Sequence, residues 1–286
     1  MKSSESQKIT PDEMREALNR SGYLIEQRCK ALLERQGYYV ETNRSYPDQG
    51  TDKSREYDIF GYRLTGLFRS EPGGLASIVI CECMNNFQPV VFIGDDPPTT
   101  LMFHEQVKIS GIPVVVWERG NFLSLSNFFR FETLFHQCKK PVAKQYCSFS
   151  PNRGGWLAKH PDEQHQCFTT LVAATDAAIS DHYQNLEPPR ARETLAVNLQ
   201  IYDPLLVLQG DLYTARETNG RLELWPTEHL QYLHQFWSAG HPEGCQIDVI
   251  KESYLPTYLN WSIARFKHLG NGWLDGENTW PYQGTA

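Results

Sequence analysis

Residues Ile78-Val79-Ile80-Cys81-Glu82-Cys83-Met84 decide the architecture of this chain. A continuous apolar run of this length reads as a strand covered on both faces, which calls for a sheet with layers on either side. Glu82 interrupts the run, and an ionised carboxylate is almost never buried without compensation. Side chains alternate along a strand, so Glu82 and Met84 share a face with Ile78 and Ile80, while Cys81 and Cys83 point to the other. The preceding strand-like segment, Arg55-Glu56-Tyr57-Asp58-Ile59-Phe60-Gly61, carries a second acid, Asp58, on the face of Glu56 and Phe60. If the two strands are neighbours, Asp58 and Glu82 converge at one end of the sheet.

Upstream, Thr10-Pro11-Asp12-Glu13 has an N-cap, a first-turn proline and a capping-box acid, and predicts a helix running to about Gln36, with Gly37 as its stop. Gly22 kinks or splits it. Leu24, Ile25, Cys29, Leu32 and Leu33 recur at helical spacing and form the core face, with Glu26 at its edge. Strands are expected over 38–46, 56–64 and 88–93, a short helix over 101–110 and a buried strand over 112–117. Helix, three strands, crossover and strand make an α/β layer structure on a mixed sheet. Converging carboxylates repel one another unless a divalent cation lies between them, and oxygen-only ligands favour Mg²⁺ or Mn²⁺. The bland readings are an ion pair of Glu82 with Arg55 or Arg63, a turn contact for Asp58 and a solvated Glu26.

These elements resemble the PD-(D/E)XK nuclease superfamily, whose restriction-endonuclease-like core has a helix with a Glu, a strand with the metal-binding Asp, and a following strand with E-x-K. The matching positions are Glu26, Asp58 and Glu82-Cys83-Met84, and the resemblance covers roughly residues 10–120. It implies a Mg²⁺-dependent (or Mn²⁺-dependent) DNA endonuclease of the restriction or defence kind, with Asp58 and Glu82 catalytic, Glu26, Asp58 and Glu82 as metal ligands, RNA as another substrate class, and a homodimer as one way to cut two strands. The motif Lys is Met84, which has similar length and no charge, so hydrolysis should be impaired. Three explanations stay open: a relocated cation, best sought at Lys108 with Gln106 nearby; an inactivated form of a Lys-bearing enzyme; or a noncatalytic module that binds nucleic acid or protein.

Between about Thr133 and His160 the chain has no acid, and Lys139, Lys140, Lys144, Arg153 and Lys159 alternate with Phe135, Tyr146, Phe149 and Trp156. Such a stretch suits a phosphate backbone and stacked bases, or else a solvated loop with core aromatics. A helix is expected over 162–185 and a break at Glu187-Pro188-Pro189. Strands follow over 195–201, 204–208, 212–216 and 247–250, with helices over 227–237 and 253–268. The tail from Gly270 reads as loop. The chain thus divides into a nuclease-like core (1–135), a basic and helical connection (136–190), a C-terminal βα region (191–270) and a tail (271–286).

With 286 residues, 40% of them hydrophobic, the chain can bury a large core. No apolar run is long enough to span a membrane, and the N-terminus lacks the apolar region of a signal peptide. Seven cysteines without a C-x-x-C pair read as free thiols in a reducing cytoplasm, and His160, His165 and Cys167 are not assigned to zinc. A formal charge of −7 argues against nonspecific coating of nucleic acid but leaves room for a local basic groove.

Overall fold

The structure, a computed structural model, describes residues 8–47, 53–67, 73–95, 108–112, 115–118, 121–124, 142–160, 162–185, 197–238 and 241–274. The helices among them are α1 (Pro11–Arg20), α2 (Tyr23–Arg35), α3 (Asp162–Asn185) and α4 (Leu255–Leu274). The strands of the first half are β1 (Tyr39–Pro47), β2 (Ser54–Leu67), β3 (Gly73–Met84), β4 (Val90–Asp95), β5 (Lys108–Ile112), β6 (Val115–Glu118) and β7 (Asn121–Ser124). Those of the second are β8 (Val142–Asn152), β9 (Gly155–Lys159), β10 (Val197–Leu208), β11 (Leu212–Thr218), β12 (Arg221–Pro226), β13 (His229–Ser238) and β14 (His241–Lys251).

The fold is α/β. A mixed sheet of 12 strands runs in the order β1-β2-β3-β10-β14-β13-β8-β4-β11-β12, with β5 beside β10 and β9 beside β8, while β6 and β7 pair separately. Strands from 191–270 therefore lie in the same sheet as those of the first 135 residues. β1, β2 and β3 form an antiparallel meander, and β10 lies parallel to β3 along its whole length, from Val197 opposite Gly73 to Leu208 opposite Met84. The other edge of β10 pairs with β5 up to Tyr202 and with β14 from Leu205 onward. Pro204, which has no N–H to offer, sits in the gap between those partners, so one continuous strand spans the two segments read separately from the sequence.

Helices cover both faces. Ile25, Cys29 and Leu33 of α2 and Leu255, Tyr258 and Leu259 of α4 pack with Val79, Cys81, Leu205 and Val207. Phe168, Leu171 and Ala174 of α3 pack with Ile78, Ile80, Leu206 and Val249, with Met84 and Phe60 at the margin. The alternation of Ile78, Ile80 and Met84 against Cys81 and Cys83 agrees with the sequence reading.

The Thr10 capping box forms as expected, and the long N-terminal helix is split at Ser21 and Gly22. Four local expectations are corrected. Residues 108–110 belong to strand β5, not to a helix, while 101–107 lie outside the described residues. The helix expected over 227–237 is strand β13, which pairs with β14 from His229 opposite Ile250 to Ser238 opposite His241. Residues 229–234 are buried on both faces, so no two-residue alternation marks them as a strand. Residues 112–117 are not one strand but the end of β5 and the start of β6. Finally, α4 continues to Leu274, past the glycine at which the tail was expected to become loop.

Candidate functional site

The carboxyl ends of the parallel strands β3 and β10 bring the predicted acids together, the edge at which open α/β sheets usually bind ligands. Asp58 and Glu82 stand one step past the last paired residues of β2 and β3, Ile59 and Cys81. The next position on each strand is thus an acid, and the two are near enough that Asp58 raises the pKa of Glu82.

Asp58 departs from the expected alternation. Tyr38, Val40 and Ile59 face α2 and α4, whereas Tyr46 and Tyr57 face α3, so β1 and β2 exchange faces at Asn43 and Asp58. Asn43 has a left-handed backbone (φ 53°), and the β1–β2 pairing skips from Thr42–Ile59 to Arg44–Tyr57. Asp58 therefore does not simply share a face with Glu56 and Phe60. Its Oδ2 leaves the ladder and accepts a hydrogen bond of 2.7 Å from the Cys83 backbone N–H.

Glu26 arrives from the first turn of α2. Gly22 lies between Glu26 and Cys83, since a Cβ there would make ordinary van der Waals contacts with Glu26 Oε1 at 3.7 Å and the Cys83 carbonyl oxygen at 3.9 Å. The Cys83 backbone N–H, which sequence reasoning missed, is what holds Asp58. No side-chain signal could have revealed a backbone role.

The electrostatics are those of unmet charge. Burial, then Asp58, then Glu26 push Glu82 up to about 9. Burial and then Asp58 raise Glu26, and burial raises Asp58 against the lowering effect of the Cys83 N–H. Among the described residues, no lysine or arginine forms an ion pair with any of the three. Arg63 lies with its guanidinium 5.9 Å from the Tyr38 ring centroid, and Arg55 is exposed, so neither supplies the ion pair considered for Glu82.

Met84 shares the α3 face with Ile80, next to Glu82 and without charge. Lys108 does not replace the missing cation. It pairs across the sheet with Tyr202, which is opposite Ile78, four residues back from Glu82, or about 13 Å along the strand. Its Nζ instead donates 2.9 Å to Asp176 of α3. Gln106, Lys139 and Lys140 lie outside the described residues, whereas Lys144, Arg153 and Lys159 are exposed on β8, β9 and their turn.

The oxygen-only donors and their mutual repulsion suit a hard divalent cation. As placed, however, no group of three or more His, Cys, Asp or Glu side chains among the described residues could hold a metal ion. No family model, curated protein or solved structure matches the chain. Among the described residues, no helix is long and apolar enough to cross a membrane.

Proposed function

We propose that this chain has a restriction-endonuclease-like core of the PD-(D/E)XK kind, built for Mg²⁺- or Mn²⁺-dependent hydrolysis of phosphodiester bonds in DNA and impaired at Met84. The observation that carries this reading is the convergence of Glu26, Asp58 and Glu82 from a helix and two successive strands, Asp58 being held by the Cys83 N–H, with no lysine or arginine among the described residues paired to any of them. Asp58 and Glu82 would hold the ion, and Glu26 a second ion or an ion-bound water. The bound cation supplies charge for a phosphate oxygen and lowers the pKa of the attacking water. Asp58 is held in position by the Cys83 N–H, and Glu82, whose pKa is raised to about 9, would have to give up its proton to serve as a ligand.

Plasmid nicking with Mg²⁺ or Mn²⁺, comparing this chain with Met84→Lys, tests the proposal. Nicking that appears or rises with Lys and is abolished by Asp58→Ala or Glu82→Ala supports it; no nicking by either form opposes it. The engagement of Lys108 by Asp176 favours a second reading, a noncatalytic nucleic-acid-binding or protein-interaction module that keeps the nuclease fold. Retention of DNA in a gel shift without cleavage by either form would select the nucleic-acid-binding version.

A further inference from the structure

Phe87 is 95% exposed, three residues beyond Met84, yet the backbone that presents it is fastened on both sides. Upstream, Asn85 Nδ2 donates to the carbonyls of Asn19 (3.4 Å) and Ser21 (3.3 Å), at the junction of α1 and α2. Asn86 is buried. Its Nδ2 donates to the Gln88 and Asp211 carbonyls at 3.1 and 3.4 Å, and its Oδ1 accepts 2.8 Å from the Gly210 N–H. Only glycine fits at 210, because a Cβ would lie 2.1 Å from the Asn86 carbonyl oxygen. Downstream, Ser148 Oγ donates 3.3 Å to the Pro89 carbonyl. A loosely held Phe could fold back onto the protein and recover about 2 kcal/mol of apolar burial. These bonds keep the backbone around Phe87 in place with the ring in water.

The surroundings indicate what would cover that ring. Upstream in the chain, Glu82 of the acidic trio precedes Phe87 by five residues. Downstream, Val90 pairs with Ser148 and Ser148 with Lys159, so the strand that follows Phe87 lies beside the β8–β9 hairpin. That hairpin carries exposed Arg153 and Lys159 and a Trp156 that is 63% exposed, in a stretch of sequence without an acid. The nearby Asp211 carboxylate is paired with Lys251 at 3.1 Å. Carboxylates suited to a cation, then an aromatic platform, then a cationic and aromatic hairpin form a path with the charge and stacking surfaces of a strand whose bases are not paired.

We propose that Phe87 is a stacking platform for an unpaired base, so that the substrate class of the acidic site is single-stranded nucleic acid or an unpaired segment of DNA. The inference rests on the nuclease-fold reading and narrows it. The test is fluorescence anisotropy of a labelled oligothymidylate and of a labelled duplex of equal length, with Ca²⁺ present, for the wild type, Phe87→Ala, Phe87→Leu and Phe87→Tyr. Single-strand affinity should fall about 10-fold in the Ala and Leu variants and persist in Tyr, with duplex affinity unchanged. If the wild type binds single strands and Phe87→Ala binds them equally well, or loses both forms alike, the stacking role is wrong while the nucleic-acid reading stands. If the wild type binds neither form, both fall together.

Discussion

Two groups of acids in and beside the same sheet meet opposite fates, one fully buried and the other half-buried. Asp203 on β10 receives Arg265 Nη2 at 2.7 and 2.6 Å and Ser262 Oγ at 3.1 Å, with Arg265 and Asp203 both almost fully buried. Asp248 on β14 receives the Tyr258 hydroxyl at 3.0 Å, and its Oδ1 lies 2.7 Å from His229 Nε2. Glu82, with Asp58 and Glu26 near it, has no such counter-charge among the described residues. The first group is compensated within the fold, and the second, at the carboxyl ends of parallel strands, is the group on which the proposed site rests.

Removing compensation should have the largest effect. Arg265→Met leaves Asp203 buried and unpaired and should lower stability by about 3–5 kcal/mol in denaturant melts. A neutral result would erase the distinction between the two groups. Supplying compensation at the other group comes next: Met84→Lys should raise Mg²⁺-dependent plasmid nicking at least about 100-fold over this chain, the scale of one well-placed electrostatic contact.

A smaller contrast lies in pH dependence without metal. Glu82 titrates near 9 in the folded chain, against an ordinary value of 4.5. The folded state thus holds its proton more tightly than the unfolded state does. The stability this contributes is complete below about pH 4.5 and is lost progressively as pH rises to about 9. Glu82→Gln keeps the neutral form at every pH, so in EDTA its melting temperature should exceed that of the wild type at about pH 8 and approach it at about pH 4. Equal pH slopes for the two proteins would show that Glu82 is already compensated. The smallest effect is expected at Lys108→Met, which breaks the partly exposed pair with Asp176. It should cost about 1 kcal/mol or less and leave Mn²⁺ binding unchanged, and loss of that binding would restore Lys108 to the site.

Much of this arrangement is legible in the chain because the governing signals are local. The capping box at Thr10, the apolar run ending in an unexpected acid and the helix over 162–185 each declare themselves within a few residues. What is not legible depends on partners far away in sequence. β13 carries no strand alternation over residues 229–234 because both faces are buried there between β14 and β8, and β10 reads as two strands because Pro204 makes sense only beside a change of partner. At the site, the identities of Asp58, Glu82 and Glu26 could be read, but not the face exchange at Asn43 or the role of the Cys83 peptide, since backbone groups carry no letter of their own. The Asn219-Gly220 turn joining β11 to β12, with φ values of 53° and 76°, is by contrast a local hairpin signal written in its own residues.

The most direct test is calorimetric titration of Mn²⁺ into the apo protein at neutral pH, run in two buffers of different ionisation enthalpy, for the wild type, Glu82→Gln and Asp58→Asn. The expected result is saturable binding that releases a proton in the wild type, because Glu82 must ionise to hold the ion, with affinity at least about 10-fold weaker in both variants. Absence of binding by the wild type, or equal affinity in all three proteins, would contradict a cation shared by Asp58 and Glu82.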